Sequence, residues 1–376
     1  MLRRATWACV LLCLLLVLAT APPASATTTP PAPTAPVAAK LTLTDALSLA
    51  EANNAALRQA YYAVTAARGA LTAAPANAAA LAPAASLYLR MQYGIEIPEQ
   101  AISPTAARQQ AQITYEQAAL QYYQARRQVR MGVCQAYAEW QRGTALVVAQ
   151  ESALKRAESQ RDQVRVALEQ GAVARLDLLQ AEAMVAGQQA TLAGARALEA
   201  SARAALAQAI GRPIADGVVP GEPLVRSQEV KLTATVAELM ARALTNRPDL
   251  IDAKLSLAAR RLQAGLATGG PSAAMLQLEG SAASYEAAVA KAEAEVRQAL
   301  WAAQAGLSEL KAREAALDPA REALRLAELR YQEGLTTYTE VQAASAQLLQ
   351  TEAAQIESAA KLTQSLYRLA QATGDL

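Results

Sequence analysis

Two carboxylates, Asp177 and Glu340, are the side chains whose placement best suggests chemistry. They stand at the same distance after Gly171 and Gly334, within two similar segments that read LEQGAVARLDLLQAEA and YQEGLTTYTEVQAASA. A glycine commonly ends a helix, and an acid in the first turn of the next helix is stabilised by the helix dipole. The pattern therefore predicts two equivalent helix–turn–helix tips, each followed by one negative charge.

Enzymes, metal proteins and nucleic-acid-binding proteins are classes that the composition disfavours. The chain has no His, the usual metal ligand and general base, and Cys134 is the single Cys outside residues 1–26. We also find no phosphate-binding loop and no carboxylates clustered at a loop. The 35 basic and 33 acidic residues nearly cancel, to a formal net charge of +2. We expect no enzymatic activity, no cofactor, no metal ion and no nucleic-acid partner.

The first residues have the features of an export signal. Arg3 and Arg4 precede an apolar run, and Ala24-Ser25-Ala26 forms a small-residue cleavage pattern. The run is too short for a membrane-spanning helix, and no later stretch is long and apolar enough to be one. We therefore predict an exported protein.

One pattern occurs twice after this signal. LTLTDALSLAEANNAALRQA from Leu41 is similar to LTATVAELMARALTNRPDLIDA from Leu232, and the two glycine-containing segments form a second matched pair. Self-similarity at this scale indicates structural repeats. The predicted organisation is a signal peptide at 1–26, a Thr/Pro-rich leader at 27–40, a first structural repeat at 41–210, an inter-repeat connection at 211–231 and a second structural repeat at 232–376.

Long helices are predicted in both repeats, because Ala, the best helix former, occurs nearly everywhere. The predicted helices cover about 44–80, 105–170, 175–210, 235–267, 282–333 and 338–372. Apolar residues recur with the heptad spacing of coiled coils at Val289, Val296, Ala303, Leu310, Leu317, Leu324 and Tyr331. We therefore expect a mostly α fold, with two tandem copies of long antiparallel coiled-coil helices.

Several motifs resemble the TolC-type outer-membrane efflux channel family, the outer membrane efflux proteins. The matching stretches are LTLTDALSLAEANNAAL, AIGRP at 209–213, LTNRPDL at 244–250 and RYQEGLTTYTEVQAASAQLLQTE at 330–352. The resemblance implies a homotrimer whose helices form an α-helical tunnel across the periplasm, located in the outer membrane or associated with the periplasm. It also implies a passive conduit in a tripartite efflux or type I secretion system, docking with a periplasmic adaptor (a membrane fusion protein) and an inner-membrane pump.

The resemblance also implies roles for residues at the two tips. Adaptor docking is implied for Gly171, Ala172, Val173, Gly334, Leu335 and Thr336. A periplasmic constriction, in which acids line the pore and hydrogen-bond a tyrosine, is implied for Asp177, Tyr331 and Glu340. The chain has Thr336 and Ala343 where the family pattern has a basic gate residue and a second acid. A plain helix stop at each Gly and a solvated charge at each acid are the alternatives.

The sequence departs from the family in its β-barrel portion, which we expect to be shortened or missing. The segment 87–97 alternates like one barrel strand or a β-arm packed on the helices, and Ala274–Glu279 is too short to cross a bilayer. We therefore expect at most short β-strands where the family has its barrel. The alternative function is an exported structural coiled-coil spacer of the cell envelope without transport activity.

Overall fold

The computed structural model of the protein describes residues 40–73, 106–266 and 272–375. Within these ranges the chain forms eight α-helices and two short β-strands. In chain order they are β1 (Lys40–Leu41), α1 (Leu43–Asn53), α2 (Ala55–Ala73), α3 (Ala106–Glu169), α4 (Arg175–Ile210), β2 (Val219–Pro220), α5 (Val236–Asn246), α6 (Pro248–Leu266), α7 (Ser272–Gln332) and α8 (Tyr338–Thr373). The two tandem copies of long helices are confirmed, since α1–α4 recur in the same order as α5–α8. The predicted signal peptide, all of the leader except Lys40, and segment 87–97 lie outside the described residues.

Each repeat begins with two short helices, where we predicted one. The prediction of a single helix over 44–80 is wrong within the described residues, because Asn54 has an extended backbone (φ −65°, ψ 126°) that separates α1 from α2. The prediction over 235–267 is wrong for the same reason at Arg247 (φ −79°, ψ 119°). Arg247 precedes Pro248, which disfavours a helical residue before it and is well suited to the first position of a helix.

The long helices agree closely with the prediction, apart from the start of α7. The structure has α3 at Ala106–Glu169, α4 at Arg175–Ile210 and α8 at Tyr338–Thr373, whereas α7 begins at Ser272 rather than near 282. The stretch that we considered as extended, Ala274–Glu279, is helical, because its Ala, Met, Leu, Gln and Glu are strong helix formers. With 64 residues, α3 is about 96 Å long. No helix of the described segments is long and apolar enough to cross a membrane.

Each repeat folds its two longest helices into an antiparallel hairpin, α3 with α4 and α7 with α8. The apolar heptad of α7 faces inward, with Val296, Ala303, Leu310 and Leu324 buried. The two helices of each hairpin approach each other closely at a position where one of them has a glycine. A Cβ on Gly143 would lie 2.9 Å from the Cα of Glu199, and one on Gly306 would lie 3.5 Å from the Cα of Leu362.

Substitution of Gly143 tests this close approach. We expect Gly143→Ala to lower the unfolding free energy by about 1–3 kcal/mol, because the added methyl group overlaps the backbone of α4. Gly132→Ala on the same helix is the matched control. Its Cβ would meet no atom within 4 Å, so higher helix propensity should raise stability by about 0.5–1 kcal/mol. Denaturant unfolding of the purified protein measures both, and equal stabilities for the two variants would contradict the packing argument.

The two repeats meet along a polar seam between α3 and the second hairpin. Pairs of hydrogen-bonding side chains follow the seam: Gln364 with Glu139 at 2.7 Å, Arg142 with Glu357 at 3.2 Å, Arg156 with Glu352 at 3.1 Å, and Gln160 with Glu328 at 2.6 Å. Packing within each repeat is mainly apolar. Near the tips, an apolar cluster that includes Val164 and Leu324 also joins the two hairpins.

The connection between the repeats is fastened to both of them. The strand β2 pairs in parallel with β1, and the Tyr137 hydroxyl donates to the Leu41 carbonyl at 3.0 Å. Farther on, the Ser227 hydroxyl and backbone N–H both donate to the carboxylate of Glu314 on α7. Cys134, three residues before Tyr137, is also buried. Burial raises the pKa of its thiol to about 12, so this side chain stays protonated and behaves as a small core residue.

Candidate functional site: the hairpin tips

The two hairpin turns have matching geometry. Gly171 and Gly334 both adopt the left-handed conformation, with φ of +73° and +71°. The Ala172 N–H donates to the Ala167 carbonyl at 2.9 Å, and the Leu335 N–H donates to the Arg330 carbonyl at 2.8 Å. These bonds satisfy carbonyls at the helix ends that would otherwise lack partners, as is usual for a glycine-terminated helix. The sequence prediction of two equivalent tips is thus confirmed in its geometry.

Both tips expose apolar side chains. Leu335 is 71% exposed, and Leu176, just beyond the first tip, is 61% exposed. Gly171, Ala172 and Gly334 are also exposed, whereas Val173 and Thr336 are half-buried. Further exposed apolar side chains near this end belong to Val166, Leu179, Leu326 and Leu329. A concentration of exposed apolar side chains at one end of a protein marks a surface suited to protein contacts.

A hydrogen bond joins the two hairpins just behind the tips. The Tyr331 hydroxyl at the end of α7 donates to Oδ2 of Asp177 in the first turn of α4, at 3.2 Å. Burial, together with the nearby negative charge of Asp177, raises the pKa of Tyr331 to about 12, so this hydroxyl keeps its proton at neutral pH. The bond lies beside an apolar cluster that includes Val164, Leu324 and Val341.

The structure brings together two of the three predicted constriction residues. Asp177 and Tyr331 are bonded, but the Glu340 side chain is exposed, and neither of those residues is hydrogen-bonded to it in the described structure. The Glu340 backbone N–H donates to the Thr337 carbonyl at 3.1 Å, which places this acid in the first turn of α8. The dipole of α8 stabilises its charge there.

Tyr338 is a residue at this site that sequence reasoning missed. Its side chain is 2% exposed, and its ring centre lies 5.6 Å from that of Tyr331. Its hydroxyl is buried without a hydrogen-bond partner among the described residues, as is Oγ1 of Thr336. The available signal was an aromatic residue at the first position of the predicted helix 338–372, but a sequence does not show which hydroxyls lack partners.

The comparisons with known proteins agree with this architecture. The family model named outer membrane efflux protein matches residues 99–212 and 272–375. A search of curated proteins finds no match to this chain. Among solved structures, a membrane protein from Pseudomonas aeruginosa is 20% identical, with a TM-score of 0.64 over 90% of this chain and 91% of that one.

Two further solved structures have the same fold. The outer membrane protein VceC of Vibrio cholerae is 20% identical, with a TM-score of 0.61 over 88% of this chain and 96% of that one. The open state of the Neisseria gonorrhoeae outer membrane channel MtrE is 19% identical, with a TM-score of 0.60 over 88% of each chain. The family consists of efflux proteins rather than enzymes. The chain therefore belongs to the outer membrane efflux protein family and is an outer-membrane efflux channel component, which confirms the resemblance found in its sequence.

Proposed function

We propose that this chain is the passive outer conduit of a tripartite efflux or type I secretion system. In this proposal, three copies associate so that their hairpins form an α-helical tunnel across the periplasm. The observation that carries it is the bond from Tyr331 to Asp177, which supports a single narrow end formed jointly by both hairpins. A ring of copies would cover apolar side chains that the single chain leaves exposed, such as Trp301 at 62%.

Chemical crosslinking and conductance together test this proposal. The purified mature protein should crosslink as a trimer, and its insertion into a planar lipid bilayer should give discrete conductance steps. A monomer or dimer without conductance would instead favour the exported coiled-coil spacer.

The tips are proposed as the docking surface for a periplasmic adaptor, which would link the conduit to an inner-membrane pump. Gly171, Ala172 and Gly334 leave the backbone of the turns open, and Leu335 presents an apolar side chain. Val173 and Thr336 are half-buried and would shape the turns beneath that surface. Small and apolar side chains at the end of a hairpin suit contact with the end of another helical hairpin.

Substitution of Leu335 tests the docking surface. We expect Leu335→Asp to reduce crosslinking to the adaptor at least about tenfold, because a carboxylate would be desolvated in an apolar contact. Leu276→Asp is the matched control, since Leu276 is 67% exposed on the first turns of α7, away from the tips. A photo-crosslinking residue at position 172, used in cells that express each variant, measures the change. Equal crosslinking by both variants would show that the tips are not the docking surface.

The constriction is proposed to consist of Asp177, Tyr331 and Glu340. The bond between Asp177 and Tyr331 would hold the hairpins together at the narrow end, and the exposed Glu340 carboxylates of three copies would give that end a negative charge. Thr336 and Ala343, which provide no charge, leave this network with few ionic contacts.

The boundaries of the repeats remain part of the proposal. We propose a first repeat at 41–210 and a second at 232–376, joined by the connection 211–231 and preceded by the signal peptide 1–26 and the leader 27–40. Support comes from the equal lengths of corresponding helices, since α1 and α5 both have 11 residues. The helices α4 and α8 both have 36 residues.

A further inference from the structure

The buried hydroxyl of Tyr338 is, with Oγ1 of Thr336, one of two polar groups of the described residues near the tips whose lack of a partner the proposed function leaves unexplained. Tyr338 is 2% exposed, and its hydroxyl has no hydrogen-bond partner among the described residues. Leaving a buried hydroxyl unpaired costs free energy, because the bonds it made with water are lost without replacement. We therefore infer that the Tyr338 hydroxyl reaches a hydrogen-bond partner in another arrangement of the two hairpins.

Asp177 is the acceptor that the surroundings of Tyr338 offer. The rings of Tyr331 and Tyr338 lie 5.6 Å apart, and Tyr331 donates to Oδ2 of Asp177. Tyr338 is therefore separated from this carboxylate by the Tyr331 ring alone, and burial and then the charge of Asp177 raise the pKa of Tyr338. Because Tyr331 uses Oδ2, Oδ1 is the oxygen open to a second donor.

We propose that Tyr338 is a reserve hydrogen-bond donor for Asp177, so that the two hairpins can be joined in two alternative arrangements. In the arrangement described here, Tyr331 at the end of α7 holds Asp177. When the second hairpin shifts relative to α4, Asp177 passes to the hydroxyl of Tyr338 at the start of α8. The carboxylate then keeps a donor throughout the movement, which lowers the barrier between the arrangements. The inference rests on the proposed constriction for its part in gating.

The sequence of the second tip favours such an exchange. Thr336 stands where the family pattern has a basic residue, so an ion pair does not fix the carboxylates at this position. The Tyr331 bond is 3.2 Å long, beyond the usual range of about 2.5–3.0 Å for a hydroxyl donor to oxygen. Gln342 on α8 reaches the Gln180 carbonyl on α4 at 3.4 Å, which is a weak contact. The hairpins are therefore joined here by few and long polar bonds.

Amide hydrogen exchange at the tips tests the reserve donor directly in the full chain. The readout is the exchange rate of the backbone amides in residues 335–345, for Tyr331→Phe, Tyr338→Phe, the double variant and Asp177→Ala. Phenylalanine keeps the ring packing and removes only the hydroxyl. If Tyr338 takes over when Tyr331 is lost, each single Phe variant should change the rate less than about threefold, whereas the double variant should raise it about tenfold, the size of one lost hydrogen bond.

Two results would overturn the inference. One is that Tyr338→Phe changes nothing in the Tyr331→Phe background. The other is that, in the Tyr331→Phe background, Tyr338→Phe has the same effect with Asp177→Ala as with Asp177 intact, which would mean that its hydroxyl acts through another group. Conductance of the same variants separates this inference from the constriction. If the hydrogen-exchange rates of the variants are coupled as expected but their conductance does not change, the reserve donor is supported and the constriction is refuted. If conductance changes but the exchange rates are not coupled, the constriction is supported and the reserve donor is refuted.

Discussion

Replacing Asp249 by asparagine together with Glu295 by glutamine is expected to lower the unfolding free energy by about 2–4 kcal/mol. Both acids hold the guanidinium of Arg247, whose side chain is 6% exposed, through ion pairs of 2.6 Å. Arg247 also donates to the Ala372 carbonyl at the end of α8, at 3.3 Å. The double variant leaves a buried positive charge without a counterion, at the point where α5, α7 and α8 meet.

The matched control removes the charge instead of its partners. Arg247→Met keeps much of the side-chain volume and leaves Asp249 and Glu295, which are 49% and 41% exposed, able to regain water. We expect this variant to lose less stability than the double variant, and denaturant unfolding at neutral pH compares the two. A larger loss for Arg247→Met would show that the guanidinium stabilises the fold mainly through its bond to α8.

The pH dependence of this ion pair has a defined sign. Burial alone would raise the pKa of Asp249, but the hydrogen bond and charge of Arg247 outweigh it and lower the pKa below its ordinary value. The stability that Asp249 contributes is therefore complete above the pKa of the unfolded chain, about 3.9, and is lost as pH falls through the lower pKa of the folded chain. The stability difference between wild type and the double variant should shrink in acid over that window.

Replacing Glu340 by alanine is expected to weaken block of the reconstituted channel by divalent cations on the order of tenfold. The exposed carboxylates of three copies would otherwise attract cations to the narrow end, where a ring of like charges raises the local cation concentration. Single-channel conductance with Mg²⁺ added on the side of the tips measures the change. The effect should diminish in high salt, which screens exposed charges.

Glu286→Ala provides the control for this prediction. Glu286 is an exposed acid on α7, far along the helix from Gly334, so its removal changes the net charge equally without touching the tips. Cation block should be unchanged in this variant. If both variants weaken block to the same extent, the general charge of the channel is responsible, and the proposed constriction is wrong about Glu340.

The breaks between the short helices show where sequence reasoning failed. Most residues around Asn54 are good helix formers, but Asn53 and Asn54 are not. The Asn54 side chain donates to the Ala209 carbonyl at 2.9 Å and accepts from the Ala56 N–H, as a helix N-cap does. Its partner is therefore the end of α4, far away in the chain. Pro248 was a local signal for the second break, because the residue before a proline disfavours the helical conformation. Local patterns found the long helices but gave no such tertiary partner.

The sequence by itself determined the helical repeat, the two glycine turns and the acids that follow them, because these depend on local periodicity and on backbone conformations that few residues adopt. Only the tertiary structure decided which of these acids finds a partner. Asp177 meets Tyr331 across two hairpins, while Glu340, at the matching position, is exposed. Equivalent positions in a repeat have the same local structure but different neighbours, since each hairpin packs against the other rather than against a copy of itself.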